Sequence, residues 1–330
     1  MDISIVIPVY GCRDALYELY TRLTNTLRKI TDKYEIVFVN DACPQGSWEV
    51  IKDICENDCK VVGLNLSKNF GQHRAILAGL DICRGDAVVV MDCDLQDRPE
   101  HIAQMYEKLR EGYDIVWARR VNRKDKNSVK IFSKLFYRIC NLFTDKDIDA
   151  NLSNYCIAKK KVIKEQCRMR EHCRDFSVFQ QWLGFSVAYI DLESDERASG
   201  ESSYSFAKKL KLAFDIVTSQ SNKPLHLSIG IGFAFVIISV IIIIYGLINY
   251  FVFGDVIEGW TSLLISIYMV GGIILMFLGV IGLYIGKIFD ETKNRPLYVV
   301  KDRLNYEEDR DHRGIIPSGA SYTEGKEQRD

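Results

Sequence analysis

The chain has 330 residues, enough for one large domain or two smaller ones, and its hydrophobic content of 48% permits a sizeable core. Its formal net charge is −1, which gives none of the basic excess that nucleic-acid binding requires, so we expect no nucleic-acid partner.

Strand-like and helix-like segments alternate through the first 120 residues. Apolar runs typical of strands lie at 3–9, 35–40, 60–66, 86–92 and 114–118, and helical patterns lie at 13–30, 47–56, 72–83 and 100–111. Apolar strands separated by helices are typical of a mostly parallel sheet covered on both faces. The sequence therefore predicts an α/β fold. It has no GxGxxG after the first strand, which argues against a dinucleotide-dependent oxidoreductase.

Polar or distinctive residues follow three of these strands, in the segments Pro8-Val9-Tyr10, Asn40-Asp41 and Asp92-Cys93-Asp94. In open α/β sheets, ligands bind at the carboxyl ends of the strands. We expect these three segments to form one site.

The segment MDCDLQD at 91–97 places three aspartates after a buried strand. Side chains two residues apart share a face of an extended chain, so Asp92 and Asp94 can point into one site. Hard carboxylate oxygens suit Mg²⁺ or Mn²⁺, which leave positions open for the phosphate oxygens of a nucleotide. The alternative is a solvated acidic turn, with Asp97 capping the helix that begins near Pro99.

All ten cysteines lie between Cys12 and Cys173, without the CxxC spacing of zinc sites, and we expect reduced, mostly buried thiols. A ligand cluster of Cys167, His172 and Cys173 is a weak alternative, because a fourth ligand is missing.

Two long segments, 225–253 and 259–286, contain no Asp, Glu, Lys or Arg, and each exceeds the roughly 20 residues that span a bilayer. We predict transmembrane helices at 225–253 and 260–286, joined by a short non-cytoplasmic loop at 254–259. That loop is acidic, whereas lysines and arginines flank the pair, so the positive-inside rule puts both termini in the cytoplasm. The chain begins directly with a strand-like run, and we expect no signal peptide.

Basic and apolar residues alternate at helical spacing over 206–224, where Lys208, Lys209 and Lys211 lie mostly off the apolar face. This pattern predicts an interfacial helix on anionic membrane lipids, or an amphipathic helix packed on the preceding domain. The segment 287–330 is predicted to be a polar cytoplasmic tail, disordered after Lys301.

Five motifs in order, followed by the membrane hairpin, resemble one family. They are SIVIPVYG at 4–11, IVFVNDACPQGSW at 36–48, LSKNFGQHRAILAGLD at 66–81, RGDAVVVMDCDLQDRPE at 84–100 and ERASGESSYS at 196–205. Together they resemble the inverting family 2 glycosyltransferases of GT-A fold, and more narrowly the polyprenyl-phosphate sugar transferases. The resemblance implies a cytoplasmic GT-A catalytic domain at 1–205 with a Rossmann-like, mixed, mostly parallel sheet.

The resemblance also implies roles for the donor-binding residues. Pro8, Val9 and Tyr10 would hold the base and ribose of a nucleotide diphosphate sugar, and Asp41 would bind the uracil or guanine edge. Asp92 would face the ribose and the metal, Asp94 would ligate the metal, and Gln96 would lie beside the sugar. Tyr10 could instead pack at the strand end, and Asp41 could instead form a turn.

A second set of residues is implied to cover the diphosphate as a flexible loop, namely Arg197, Ser202, Ser203 and Tyr204. Arg197, together with Mg²⁺ or Mn²⁺, would neutralise the leaving group, although it could also be an ordinary surface charge. The chain departs from the family at Asn154, where bactoprenol enzymes carry an aspartate, and an amide cannot accept a proton as a carboxylate can. Either a phosphate acceptor makes a base dispensable, or the acceptor and sugar differ; Asp149 is a possible substitute.

Three functions follow from these features. The first is transfer of a sugar from a nucleotide diphosphate sugar, with a UDP-sugar favoured, to polyprenyl (undecaprenyl) phosphate at the plasma membrane, for modification of a cell-surface glycan. The second is direct extension of a lipid-linked oligosaccharide or polysaccharide by the same fold. The third is a non-catalytic membrane protein that binds nucleotide sugar. We also expect a homo-oligomer, because small residues on the second span offer close-contact surfaces, at Gly271, Gly272, Gly279, Gly282 and Gly286.

Overall fold

The structure, a computed structural model, describes residues 1–121, 152–172, 176–193, 223–253 and 259–306. In these ranges eight strands form one sheet in the order β7-β5-β6-β4-β1-β2-β3-β8. The strands are β1 Ile3–Val9, β2 Tyr34–Asn40, β3 Val61–Leu66, β4 Ala87–Val90, β5 Ile115–Val121, β6 Leu152–Lys159, β7 Val187–Glu193 and β8 Val300–Leu304.

Helices cover the sheet and extend beyond it. They are α1 Leu16–Leu27, α2 Ser47–Asn57, α3 Gln72–Leu80, α4 Ile102–Arg110, α5 Lys160–Arg168, α6 Phe176–Trp182, α7 Lys223–Phe253 and α8 Trp260–Thr292. Short 3-10 turns at Arg13–Ala15 and Pro99–His101 precede α1 and α4. The strands and helices predicted for the first 120 residues are therefore confirmed, with small shifts at their ends.

Most neighbouring strands are parallel, and β6 and β8 run against the others. The predicted mixed, mostly parallel sheet covered by helices is confirmed. All residues of β1 and β2 are buried, because helices pack on both faces. Alternate residues divide between two apolar clusters, one under α1, α2 and α4 and the other under α3, α5 and α6.

Helix α3 lies unusually close to the centre of the sheet. A Cβ built on Gly79 would stand 2.4 Å from Cγ1 of Val6 in β1 and 3.1 Å from Cγ2 of Val39 in β2. A side chain at this position would overlap two buried, stiff valines. The glycine therefore sets the distance between α3 and the strands whose ends carry the candidate site.

The predicted polar tail needs a correction, because residues 300–304 form β8, antiparallel to β3 at the edge of the sheet. The prediction missed this strand because edge pairing depends on backbone hydrogen bonds to a partner more than 230 residues earlier, and no local pattern reveals it. The segment before β8 is anchored too: Leu297 is buried, and the Ser67 amide donates to the carbonyl of Val299 at 2.9 Å.

A buried carboxylate holds this returning segment against α3. Asp81 follows α3, and its two oxygens accept hydrogen bonds from the guanidinium of Arg170, each at 2.7 Å. The hydroxyl of Tyr298 donates to the same carboxylate at 2.6 Å. A bidentate arginine and a hydroxyl satisfy a carboxylate that would otherwise be costly to bury. At the end of α8, Glu291 accepts the backbone amide of His172 at 2.8 Å.

The two long helices coincide with the predicted spans. α7 begins at Lys223, two residues before the predicted span, and α8 continues to Thr292, six residues past it. The two helices are close at Gly232 of α7, where a Cβ would stand 3.7 Å from Cε2 of Phe277 in α8. Among the described residues, the segment Met269–Thr292 has the length and apolar composition to cross a membrane. The five glycines of α8 named above have open space where a Cβ would stand, and the homo-oligomer stays a prediction.

Several predicted features fall outside the described residues. These are the loop at 254–258, the tail after 306 and the interfacial helix, apart from Lys223 and Pro224, which belong to α7.

Gly79→Ala should lower the stability of the catalytic domain. Overpacking a tight core costs about 1–3 kcal/mol, whereas alanine gains at most about 1 kcal/mol over glycine in a helix. We expect a lower melting temperature in detergent, measured by intrinsic fluorescence. Gly272→Ala, in open space on α8, is the matched control, and it should not lower that temperature because it brings the helical gain without the packing cost. Equal melting temperatures for the two variants would contradict the packing analysis.

Candidate active site

The loops that follow β1, β2 and β4 meet at one edge of the sheet. Val9, the last residue of β1, pairs with Asn40 of β2, and Val6 of β1 pairs with Val90 of β4. Because these strands are parallel, the segments after them leave the sheet side by side. Pro8 and Val9 are buried in β1, whereas Tyr10 is 52% exposed at the mouth of this edge. The structure therefore brings the three predicted segments to one edge of the sheet, and their role as one ligand site stays a prediction.

Burial alternates along the loop after β4. Asp92, Asp94 and Gln96 are half-exposed, whereas Cys93 and Leu95 between them are buried. The two carboxylates therefore lie on the accessible side of this loop, as the alternation of residues two apart predicts. The backbone amide of Gln96 donates to Oδ1 of Asp94 at 3.1 Å, which fixes the orientation of that carboxylate.

Gln72 contacts the carboxylate pair from the neighbouring helix. It is the first residue of α3, and its Nε2 donates to Oδ1 of Asp92 at 2.7 Å. Sequence reasoning assigned no role to Gln72. The available signal was its place in the motif LSKNFGQHRAILAGLD, directly after the glycine that precedes a helix.

Asp41 is only 2% exposed, and its carboxylate holds the start of α3. Its two oxygens accept the backbone amides of Phe70 at 2.7 Å and Gly71 at 2.9 Å. Burial raises the pKa of this carboxyl above its ordinary value, although the two amides and the charge of Arg74 oppose the rise. A carboxylate at a helix N-terminus satisfies amides that lack helical partners. This arrangement matches the alternative that Asp41 fixes a turn, and contact with the base stays a prediction.

A disulfide joins Cys12, after β1, to Cys93, between the two aspartates. The expectation of reduced thiols throughout the chain is therefore wrong for this pair. The cysteines are 81 residues apart in sequence, so spacing alone could not reveal that parallel strands bring their Cα atoms to 6.1 Å. The bond links the β1 loop directly to the loop that carries the carboxylates.

Cys43 connects the β1 loop to the β2 loop. Its sulfur accepts hydrogen bonds from the Gly11 amide at 3.2 Å and from the Ser47 hydroxyl at 3.1 Å. Burial raises the pKa of the Cys43 thiol, but these and further backbone hydrogen bonds outweigh burial and hold it below the ordinary value. The proposed Cys167, His172 and Cys173 cluster has no support, since Cys167 is buried, His172 is half-exposed and Cys173 lies outside the described residues.

Two non-glycine residues in these loops adopt positive φ angles, Ala42 at 50° and Leu95 at 61°. Such conformations are uncommon for residues with a Cβ and persist where the surroundings hold them in place. They follow Asp41 and Asp94 directly, so backbone strain coincides with the residues that the sequence singled out.

Asn154 lies near the start of β6, two residues before Cys156. Cys156 of β6 pairs with Val90 of β4, and because these strands are antiparallel, continuing that register by two residues brings Asn154 level with Asp92. Asn154 is half-buried. The idea that Asp97 caps the next helix is wrong, since the residue before the 3-10 turn is Arg98, which makes no side-chain cap, and Asp97 is buried.

Five residues from the sequence analysis lie outside the described part of the chain. They are Asp149, Arg197, Ser202, Ser203 and Tyr204.

The described residues fit a divalent cation that borrows ligands from a substrate. In the described ranges, no group of three or more His, Cys, Asp and Glu side chains is arranged to hold a metal ion by itself. Mg²⁺ and Mn²⁺ sites at phosphates commonly use one or two carboxylates, with phosphate and water oxygens as the remaining ligands. Asp92 and Asp94 provide carboxylates of this kind on one accessible side.

Comparison with known proteins gives the family. The model of the family described as "Glycosyl transferase family 2" matches residues 4–167. The chain is 38% identical to "Uncharacterized glycosyltransferase YkcC" of Bacillus subtilis (strain 168), over 94% of this chain and 96% of that protein. It is 33% identical to the SfII prophage-derived bactoprenol glucosyl transferase of Shigella flexneri, over 91% of this chain and 98% of that protein.

Among solved structures, the mannosyl-3-phosphoglycerate synthase of Rubrobacter xylanophilus is 17% identical with a TM-score of 0.49, covering 66% of this chain and 72% of that one. The relatives in sequence match almost the whole chain, including its long apolar helices. This chain therefore belongs to glycosyl transferase family 2 and is a glycosyltransferase with a GT-A-like sheet.

Proposed function

We propose that this glycosyltransferase moves a sugar from a nucleotide diphosphate sugar, with a UDP-sugar favoured, to polyprenyl phosphate at a membrane surface. The observation that carries the proposal is the pair of half-exposed carboxylates, Asp92 and Asp94, at the edge where the loops after β1, β2 and β4 meet. A nucleotide diphosphate needs a divalent cation and an open edge, and both fit here.

Asp92 and Asp94 would hold Mg²⁺ or Mn²⁺ against the diphosphate. When bound, the cation would stabilise the negative charge that develops on the departing nucleotide diphosphate. Gln72 holds Asp92 in place by its hydrogen bond, and the Gln96 amide does the same for Asp94. Gln96 lies on the same accessible side and would face the sugar.

The remaining donor contacts rest on the family resemblance and on position. Tyr10 is exposed beside the β1 loop, where its ring could stack on the base, and Pro8 and Val9 form the buried floor beneath it. A hydrogen bond from the nucleotide base to Asp41 would have to use a carboxylate lone pair that the Phe70 and Gly71 amides do not already occupy. Arg197 with Ser202, Ser203 and Tyr204 would close over the diphosphate.

The acceptor chemistry agrees with the amide at Asn154. A phosphate oxygen of polyprenyl phosphate would attack the anomeric carbon while the bond from that carbon to the diphosphate oxygen breaks, with inversion. The acceptor is already an anion at neutral pH, so no proton needs to be removed and no carboxylate base is required. Asn154, level with Asp92, would then only position a sugar hydroxyl. Relatives named bactoprenol glucosyl transferase support this acceptor class.

The pairing of β8 with β3 supports a hairpin of two membrane crossings. β3 precedes the long helices and β8 follows them, and yet the two strands are hydrogen-bonded in one sheet. A single crossing by α8 alone would put these strands on opposite sides of the membrane. Two crossings, by α7 and α8, keep the catalytic domain and the end of the chain on one side, which we propose is the cytoplasm of the plasma membrane.

Direct extension of a lipid-linked glycan is the second candidate. It is motivated by the departure from the family at Asn154, which allows a different acceptor; a hydroxyl acceptor would need a base, and that base would have to come from elsewhere, for example Asp149. A protein that only binds nucleotide sugar is the third candidate, and the family membership weighs against it.

Purified protein in detergent, supplied with Mn²⁺, labelled UDP- and GDP-sugars and undecaprenyl phosphate, should form a labelled lipid. The product should release its sugar in mild acid, because it would be a glycosyl phosphodiester. Donor binding without transfer to this lipid would favour glycan extension. Absence of donor binding would contradict the nucleotide-sugar assignment itself.

Asp94→Asn should lower turnover at least about 100-fold, because removing a metal ligand sacrifices transition-state charge stabilisation of several kcal/mol. The substitution preserves side-chain volume, so the melting temperature should stay within about 2 °C, on the scale of a small surface change. Asp32→Asn, on an exposed residue just before β2 and therefore at the opposite edge of the sheet, is the control. Mn²⁺ binding in the presence of UDP, followed by electron paramagnetic resonance, should weaken only in Asp94→Asn, and near-normal turnover in that variant would refute the metal assignment.

Cys59 offers a test of sidedness, because it is a free, exposed cysteine of the catalytic domain. A membrane-impermeant maleimide should label it in inside-out vesicles and leave it unlabelled in intact spheroplasts. Cys59→Ser identifies the signal that belongs to this residue. The Cys12–Cys93 disulfide is an observation that points toward an oxidising compartment. Labelling of Cys59 from outside intact spheroplasts would overturn the cytoplasmic assignment.

A further inference from the structure

Three polar side chains form a row across the sheet next to Asp41. Asp302 of β8 pairs with Asn65 of β3, and Asn65 pairs with Asn40 of β2. The Nδ2 of Asn65 donates to Oδ2 of Asp302 at 2.8 Å, and the Nδ2 of Asn40 donates to Oδ1 of Asn65 at 2.8 Å. The row ends at the backbone amide of Cys43, which donates to Oδ1 of Asn40 at 3.3 Å.

The two amides of this row are buried, with Asn40 3% and Asn65 8% exposed, so each needs partners inside the protein. Asparagine can present its oxygen or its NH₂ group in either direction, and a row of two amides alone has no fixed polarity. A carboxylate only accepts hydrogen bonds. Asp302 therefore makes Asn65 present its NH₂ outward and its oxygen toward Asn40.

The same constraint passes to the loop after β2. Asn40 must donate to Asn65, so its own oxygen faces the Cys43 amide. Between these residues lie Asp41, which caps α3, and Ala42, whose φ of 50° is unfavourable for a residue with a Cβ. The reversed amide would turn its NH₂ toward the Cys43 N–H and leave two donors facing each other.

We propose that Asp302, contributed by the strand that follows α8, is a positioning residue for the nucleotide-binding loop at residues 40–43. This proposal rests on the proposed function, because it names that loop as part of the donor site. Asp302 does not touch the donor. It sets the polarity of the Asn65–Asn40 row, and that row holds the loop in its strained conformation.

Strand β8 has other attachments, so loss of Asp302 should not detach it. The Nδ2 of Asn305 lies 2.6 Å from the carbonyl oxygen of Cys55 and 2.9 Å from that of Val61. Tyr298 holds the preceding segment at Asp81. The side-chain carboxylate of Asp302 can therefore be removed while the pairing of β8 with β3 remains.

Asp302→Ala should weaken UDP binding up to about tenfold, because Asp302 is exposed but its charge-assisted hydrogen bond is made to the buried amide of Asn65. Turnover at saturating donor should stay within about twofold, because no reacting group is moved. Asp302→Asn should recover only part of the affinity, because its oxygen can accept from Asn65 but its NH₂ group can also face that residue, so the polarity of the row is no longer fixed. Lys301→Ala, on the neighbouring exposed residue, is the control and should bind UDP as the wild type does.

Hydrogen exchange of the peptide containing the Cys43 amide gives a readout that does not depend on the ligand. Exchange should be faster in Asp302→Ala than in the wild type and in Lys301→Ala. Wild-type protein that fails to bind any nucleotide would refute the proposed function and leave the exchange result as the test of the row. Unchanged exchange at Cys43 together with unchanged UDP affinity in Asp302→Ala would overturn the proposal, as would full wild-type affinity and exchange in Asp302→Asn, because an amide does not fix the polarity of the row.

Discussion

The hydrogen-bonded register of β1 with β2 and β4 is the constraint on which the candidate site depends. Because these strands are parallel, their carboxyl ends lie at the same edge of the sheet. Tyr10, Asp41 and Asp92 therefore lie at one edge although they are far apart in sequence. Gly79 allows α3 to lie directly on these strands, which brings Gln72 within hydrogen-bonding distance of Asp92. Core packing and site geometry are therefore consequences of the same alignment.

Three kinds of cross-connection hold the loops at this edge. The Cys12–Cys93 disulfide is covalent, the Asp41 carboxylate accepts two backbone amides, and Cys43 accepts hydrogen bonds from the β1 loop and α2. Apart from the short-range bond between Ser47 and Cys43, these connections join segments that follow different strands. Loops that become ordered only when a ligand binds lose conformational entropy, which weakens binding. These connections order the loops before the ligand binds and so reduce that cost.

Local patterns predicted what is local. Apolar runs and helical spacing gave β1 to β5 and α1 to α4, and residue alternation gave the shared side of Asp92 and Asp94. The features that were not predicted are long-range. β8 pairs with β3, which precedes both long helices in the sequence, and Cys12 is bonded to Cys93, 81 residues later. Gln72 was missed because a polar residue at a helix start has no local sign of its partner. The burial of Asp41 and its hydrogen bonds to the Phe70 and Gly71 amides were also not predictable, because sequence does not report burial.

The strand that completes the sheet is also the last part of it to be synthesised. β3 leaves the ribosome early, and its outer edge has no partner until both long helices and residues 300–304 have followed. An unpaired edge invites pairing with other chains, so the nascent catalytic domain carries an open edge throughout translation of the helices. Completion of this edge is thereby tied to translation of residues 300–304, and chains released before that point would lack it.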